Sequence, residues 1–127
     1  MNANAIITVT ARKAMAKARA GLGTLPTIEK MAFGDGGVNA QGTPIPPAAD
    51  ATALNNELLR KNLTAITPLS DTTVQYACRL ETSELAGTDI SEIALVDSNG
   101  DLACIKTFTK KGKDNTEALT FTIDDIF

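Results

Sequence analysis

The sequence predicts an α+β domain in which one N-terminal helix packs on a mostly antiparallel sheet of about five strands, with a long Pro/Gly-rich surface loop. Three observations lead there. An alanine-rich basic run ends at a glycine near residue 21, several later segments alternate apolar and polar residues with period two, and Asn99-Gly100 separates two apolar runs. The 127 residues fit one domain, 1–127.

The helix comes first. Residues 10–21, Thr-Ala-Arg-Lys-Ala-Met-Ala-Lys-Ala-Arg-Ala-Gly, combine strong helix formers with a glycine suited to the position just past a helix end. Ala11, Met15 and Ala18 form one stripe, which Ile7 continues backwards, while Arg12, Lys13, Lys17 and Arg19 occupy much of the rest. The stripe lacks the large apolar wedge of a membrane-surface helix, so packing against the sheet is expected.

After a turn at 21–26, residues 27–33 read as a strand that leads into Phe33-Gly34-Asp35-Gly36-Gly37. These glycines are expected to supply backbone conformations that other residues reach only at a cost, with Asp35 as a turn-forming side chain. Residues 34–51, which include Thr43-Pro44-Ile45-Pro46-Pro47, read as an extended surface loop. In 52–60, Thr-Ala-Leu-Asn-Asn-Glu-Leu-Leu-Arg, the period is ambiguous between a short helix and an extended clasp.

The rest is sheet. Val74, Tyr76, Cys78 and Leu80 alternate with more polar neighbours in 73–80, the pattern of a half-buried strand. Residues 90–97 and 102–108 flank Ser98-Asn99-Gly100-Asp101, which predicts an antiparallel hairpin closed by a type I′ turn. Asp97 and Asp101 are read as turn caps. Lys110–Asn115 is expected to be a second polar turn, and residues 118–123 alternate again before Asp124, Asp125, Ile126 and Phe127 at a solvated end.

Composition excludes several functions. A formal charge of -3 offers no basic stripe for nucleic acid, and no apolar run approaches the roughly 20 residues of a membrane-spanning helix. No secretory signal is visible in residues 1–7, so synthesis in a cytoplasm is expected. There is no histidine, which removes His-based nucleophile systems and metal sites. The glycine cluster is neither GxGxxG nor a Walker loop, and it leads into coil instead of a helix N-terminus. Asp35, Glu57 and Glu92 are the carboxylates that acid/base work would need, but nothing in their spacing brings them together. The expectation is a non-enzyme with no cofactor and no metal. The lysine run at 106–113 reads as a soluble sheet-edge turn. Cys78 and Cys104 are read as buried free thiols, with a cross-strand disulfide as the alternative.

The order of these pieces carries a resemblance. The basic helix ending Ala18-Arg19-Ala20-Gly21, then Met31-Ala32-Phe33-Gly34-Asp35-Gly36, a Pro-containing loop, residues 52–60, and the hairpin around Glu92-Ile93-Ala94-Leu95-Val96-Asp97 resemble the N-terminal region of phage tail-collar fibre proteins. The resemblance implies a structural virion protein of a phage tail, made in the host bacterial cytoplasm. It would anchor a fibre or join the baseplate or tail tip by contacts with other tail proteins, typically as a trimer. Family members usually continue into a long shaft, so a chain ending at Phe127 reads as an excised attachment domain, a short adaptor or a stand-alone assembly protein. The polar anchors expected on the contact surface are Asp35, Thr52, Asn56, Glu57 and Arg60. A small receptor- or carbohydrate-binding module using the same loop is the alternative, disfavoured by four Phe, one Tyr and no Trp for stacking.

Overall fold

The computed structural model describes residues 4–127. Its strands are β1 (Ala5–Ile7), β2 (Ile28–Gly34), β3 (Glu57–Asn62), β4 (Ala65–Ser70), β5 (Thr73–Leu80), β6 (Thr88–Asp97), β7 (Leu102–Lys113) and β8 (Leu119–Ile126), with one helix, α1 (Val9–Arg19), between β1 and β2. The α+β expectation holds in outline. The single five-stranded sheet is corrected to two antiparallel sheets, ordered β1-β7-β6-β2-β3 and β4-β5-β8.

The physical reason for two sheets lies in β5 and β8, whose apolar faces need a cover. Cys78 and Leu80 from β5, with Phe121 and Ile123 from β8, pack against Met31, Phe33, Ile93 and Leu95 of the larger sheet. Phe33 and Phe121 meet edge to face across this interface, with ring centroids 5.4 Å apart. Alternation along β6 then sends Ala94 and Val96 to the opposite face, where they join Ala32, Leu102, Ile105 and Leu54. Leu54 comes from the segment between β2 and β3, so that segment covers the outer face of the large sheet.

The 34–51 stretch is therefore more tied down than a free surface loop. Val38 and Pro44 form an isolated bridge, Ile45 N–H donates to Gly37 O at 2.8 Å, and Thr107 Oγ1 donates to Ile45 O at 2.7 Å. Its exposed residues face outward from a strap that β7 holds down.

Thr8, the residue after β1, caps the start of the helix. Thr8 is fully buried, its Oγ1 accepts the Ala11 N–H at 3.1 Å, and the same hydroxyl donates to Leu102 O at 2.7 Å. Ile7 belongs to β1, paired with Cys104, so the helical stripe starts one turn later than its apolar pattern suggests. The helix stops as expected: Gly21 has φ +75, and Lys17 and Arg19 sit in the last turn. No residue of α1 is buried, so it lies against the sandwich as a partly attached cover.

Two turn expectations change. Gly100 N–H donates to Asp97 O and Asp97 N–H to Asp101 O, both at 2.9 Å, and Gly100 alone in this loop has positive φ. The connection is thus a three-residue loop with its glycine in the left-handed region, and the type I′ geometry is replaced because Asn99 keeps a negative φ. The lysine segment 110–113 continues β7 instead of turning, with Lys111 opposite Ile90 and Lys113 opposite Thr88.

Candidate functional site: the clamped end of β2

The end of β2 sits between two carboxylate-bearing strands. Gly34 is paired with Glu57 of β3 on one side and Glu92 of β6 on the other. The chain then turns away through Asp35, Gly36 and Gly37. None of Gly34, Gly36 and Gly37 has positive φ, which corrects the expected reason for them. They are needed because the backbone packs too closely for a side chain. A Cβ on Gly36 would lie 2.7 Å from Asn55 Cβ and 2.9 Å from Glu92 Oε2, and one on Gly37 would collide with the Ser91 carbonyl.

Glu92 organises this region. It is 1% exposed, and its carboxylate accepts three backbone N–H groups: Asn55 at 2.9 Å on Oε1, with Gly36 at 2.9 Å and Asn56 at 2.8 Å on Oε2. Its neighbour Ser91, also fully buried, accepts the Gly37 N–H at 2.9 Å through Oγ. A buried ionised carboxylate is costly unless hydrogen-bonded, and amides at this distance are strong, charge-assisted partners. Two segments about twenty residues apart in sequence are thereby fastened to one strand. The three carboxylates whose spacing suggested no meeting are brought to β3, to β6 and to the residue just past β2, but Glu92 is saturated by amides and Glu57 is paired with a cation.

The expected anchors lie on the exposed side of this clamp. Asp35 Oδ1 accepts Asn56 Nδ2 at 2.6 Å, and Asn55 Nδ2 donates to Gly36 O at 2.8 Å. Arg60 Nε meets Glu57 Oε2 at 2.7 Å, and its second nitrogen reaches Gly100 O at 3.0 Å. The hydrogen bond to Glu57 raises the Arg60 pKa further, so the guanidinium is permanently charged. The structure thus joins Asp35 to Asn56 and Glu57 to Arg60. Thr52 is exposed but hydrogen-bonded to none of the other four.

Sequence reasoning named Glu92 and Gly100 without their roles here, as acceptor of three amides and partner of Arg60, and singled out neither Ser91 nor Asn55. The signal for Glu92 and Ser91 was present as Ser91-Glu92, a polar pair inside the otherwise apolar run 90–96. A charge that interrupts a buried strand needs a partner, and here the partner is backbone.

The other charged motifs resolve differently. Asp97 caps its turn as expected, accepting Asn99 N–H at 2.9 Å and Asp101 N–H at 3.1 Å. Lys113 leaves the solvated patch altogether: it is 1% exposed and donates to Thr82 O at 2.9 Å and Asp114 O at 2.8 Å. Asp125, expected at a solvated end, is 8% exposed within β8. Cys78 and Cys104 are both free and buried; burial pushes the Cys78 thiol up to about 11 and the Cys104 thiol higher still, which favours the protonated thiol in both. Among the described residues, no helix is long and apolar enough to cross a membrane.

The family model of the phage tail-collar fibre protein, N-terminal, matches residues 1–122. The chain belongs to that family. No curated protein and no solved structure matches it. Membership makes this tail-collar fibre domain a structural protein of a phage tail, located in the virion tail and in contact with other tail proteins. The match takes in the clamp, the anchors, α1 and the Asp97–Asp101 turn, so the features described above all lie within the matched stretch.

Proposed function

We propose that this chain anchors a tail fibre, or joins it to the baseplate or tail tip, through protein-protein contacts made by the exposed side of the clamped segment. One observation supports this above others. Glu92 holds residues 36, 55 and 56 in fixed positions from beneath, while Asp35, Asn56, Glu57 and Arg60 stay exposed above. A polar surface ordered before binding loses little conformational entropy on docking, which favours assembly contacts. Thr52 and the outward residues of 34–51 extend the same surface.

The domain acts as a homo-oligomer, with a trimer favoured. The exposed Ile66 and Leu69 of β4, a strand exposed along its whole length, supply apolar area for burial between copies. The test is co-sedimentation of the full chain with purified tail-end proteins of the same phage, compared with a doubly substituted Asn56→Ala, Arg60→Glu chain. Binding by the natural sequence and its loss in the variant is the expected result. Failure of the natural chain to sediment with any of them, as monomer or oligomer, overturns the assignment.

A further inference from the structure

Two dipeptides in the chain place a side-chain carbonyl directly before a glycine, Asp35-Gly36 and Asn99-Gly100. In such a pair the glycine nitrogen can attack the side-chain carbonyl carbon and close a five-membered ring, because glycine has no Cβ to shield that nitrogen. Local sequence offers both sites. The tertiary structure separates them.

Asp35-Gly36 is held from both sides. Gly36 N–H donates at 2.9 Å to the Glu92 carboxylate, which retains the amide proton that the attack must shed, and a bond to an ionised acceptor is about twice as strong as one to a neutral group. Asp35 Oδ1 is fixed by Asn56 Nδ2 at 2.6 Å, and the backbone is so crowded that a Cβ on Gly36 would lie 2.7 Å from Asn55 Cβ. Ring closure has no freedom there.

Asn99-Gly100 stands open at the tip of the β6–β7 hairpin. Both residues are exposed, and a Cβ on Gly100 would meet nothing within 4 Å. Asp97 Oδ1 accepts the backbone N–H of Asn99, while among the described residues the Asn99 side-chain amide makes no hydrogen bond. Gly100 N–H donates only to the neutral Asp97 carbonyl at 2.9 Å. A single backbone bond at an exposed hairpin tip opens at low free energy.

We propose that Asn99 is a site of self-modification by deamidation. The Gly100 nitrogen gives its proton to solvent and bonds to Asn99 Cγ, and the side-chain nitrogen leaves as ammonia, which yields a succinimide. Water then adds to one ring carbonyl and breaks its bond to the Gly100 nitrogen. Opening at Cγ leaves aspartate at position 99; opening at the main-chain carbonyl leaves isoaspartate, whose backbone runs through Cβ and Cγ and is one carbon longer. The consequence reaches the clamp. Arg60 donates to Gly100 O at 3.0 Å, so a longer backbone moves that acceptor and leaves Arg60 with Glu57 alone. The turn is thus a slow timer on one anchor. That the anchor docks a tail protein rests on the proposed assembly role; the ring chemistry does not.

The experiment incubates the full chain, folded or in urea, at pH 8 in oxygen-18 water, and maps the digested products by mass spectrometry. Isoaspartate is read with protein isoaspartyl methyltransferase. Ring opening in labelled water writes oxygen-18 into position 99, which separates this reaction from any that occurs during digestion. Labelled product at position 99, isoaspartate included, is expected from the folded chain with none at position 35, whereas both positions should label in urea, where the Glu92 clamp is gone. Asn99→Gln, whose ring would need one more member, should lose the label. The Arg60 Nε–H signal in NMR should shift in the aged natural chain and hold in aged Asn99→Gln. An unlabelled position 99 in the folded chain, while the urea sample converts completely, overturns the site. Label at Asp35 as strong as at Asn99 in the folded chain overturns the selection by the clamp, and an unmoved Arg60 signal in converted chain overturns the link to the anchor. Because the label is read on the isolated chain, failure to co-sediment with tail proteins leaves its outcome unaffected.

Discussion

Glu92 and Asn56, 36 residues apart in sequence, are joined by a 2.8 Å hydrogen bond from the Asn56 amide to the Glu92 carboxylate. Asn55 and Gly36 donate to the same carboxylate. Glu92→Ala removes the acceptor for three amides in or near the interior. It should destabilise the domain by about 3 kcal/mol or more, since each buried group left unpaired costs about 1–3 kcal/mol. Glu92→Gln keeps an acceptor on one side only and should fall between. Urea unfolding of the three chains checks the order, and an unchanged midpoint for Glu92→Ala would show that the clamp holds nothing.

The glycines next to that carboxylate make a steric prediction. Gly36→Val places atoms where Asn55 Cβ and Glu92 Oε2 already sit, and Gly37→Ala drives a methyl into the Ser91 carbonyl. Each should cost about 1–3 kcal/mol by overpacking. Asp35→Asn retains an oxygen that accepts from Asn56 Nδ2 and should change stability by less than about 0.5 kcal/mol. Thermal melts of the three variants separate the two outcomes, and a large loss for Asp35→Asn would return this loop to a charge-dependent role.

Asp125 sets a pH dependence. Burial raises its pKa in the folded chain above the ordinary 3.8, so between the two values the native state holds a proton that the unfolded chain has released. Its contribution to stability is therefore greatest below the ordinary pKa and declines as pH rises through the folded one. Asp125→Asn removes this penalty and should raise the melting temperature at pH 7 while changing it little at pH 3. A variant less stable than the natural chain at pH 7 would contradict the sign.

Much of this was legible in local pattern. Residues 73–80 alternate so plainly that they coincide with β5, and Ser98-Asn99-Gly100 between apolar runs marked the β6–β7 hairpin. Helix α1 announced both its composition and its glycine stop. Three strands were harder for separate reasons. β1 has only three residues, β3 reads Glu-Leu-Leu-Arg-Lys-Asn without a clean period, and β4 contains Pro68 and is exposed on both faces. Their partners, β7, β2 and β5, determine them, and pairing partners are not written in a strand's own residues.

The sequence by itself determined the helix, the alternating strands, the hairpin and, through the order of these pieces, the tail-collar fibre family. Only the tertiary structure decided that the strands divide into two sheets, that 34–51 is a strap over β7, and that the glycines of Phe33-Gly34-Asp35-Gly36-Gly37 serve closeness and not a special φ. The physical reason is range. Propensity and periodicity act over a few neighbouring residues, whereas the Glu92 carboxylate finds its amides 36, 37 and 56 positions away, where no local preference reaches.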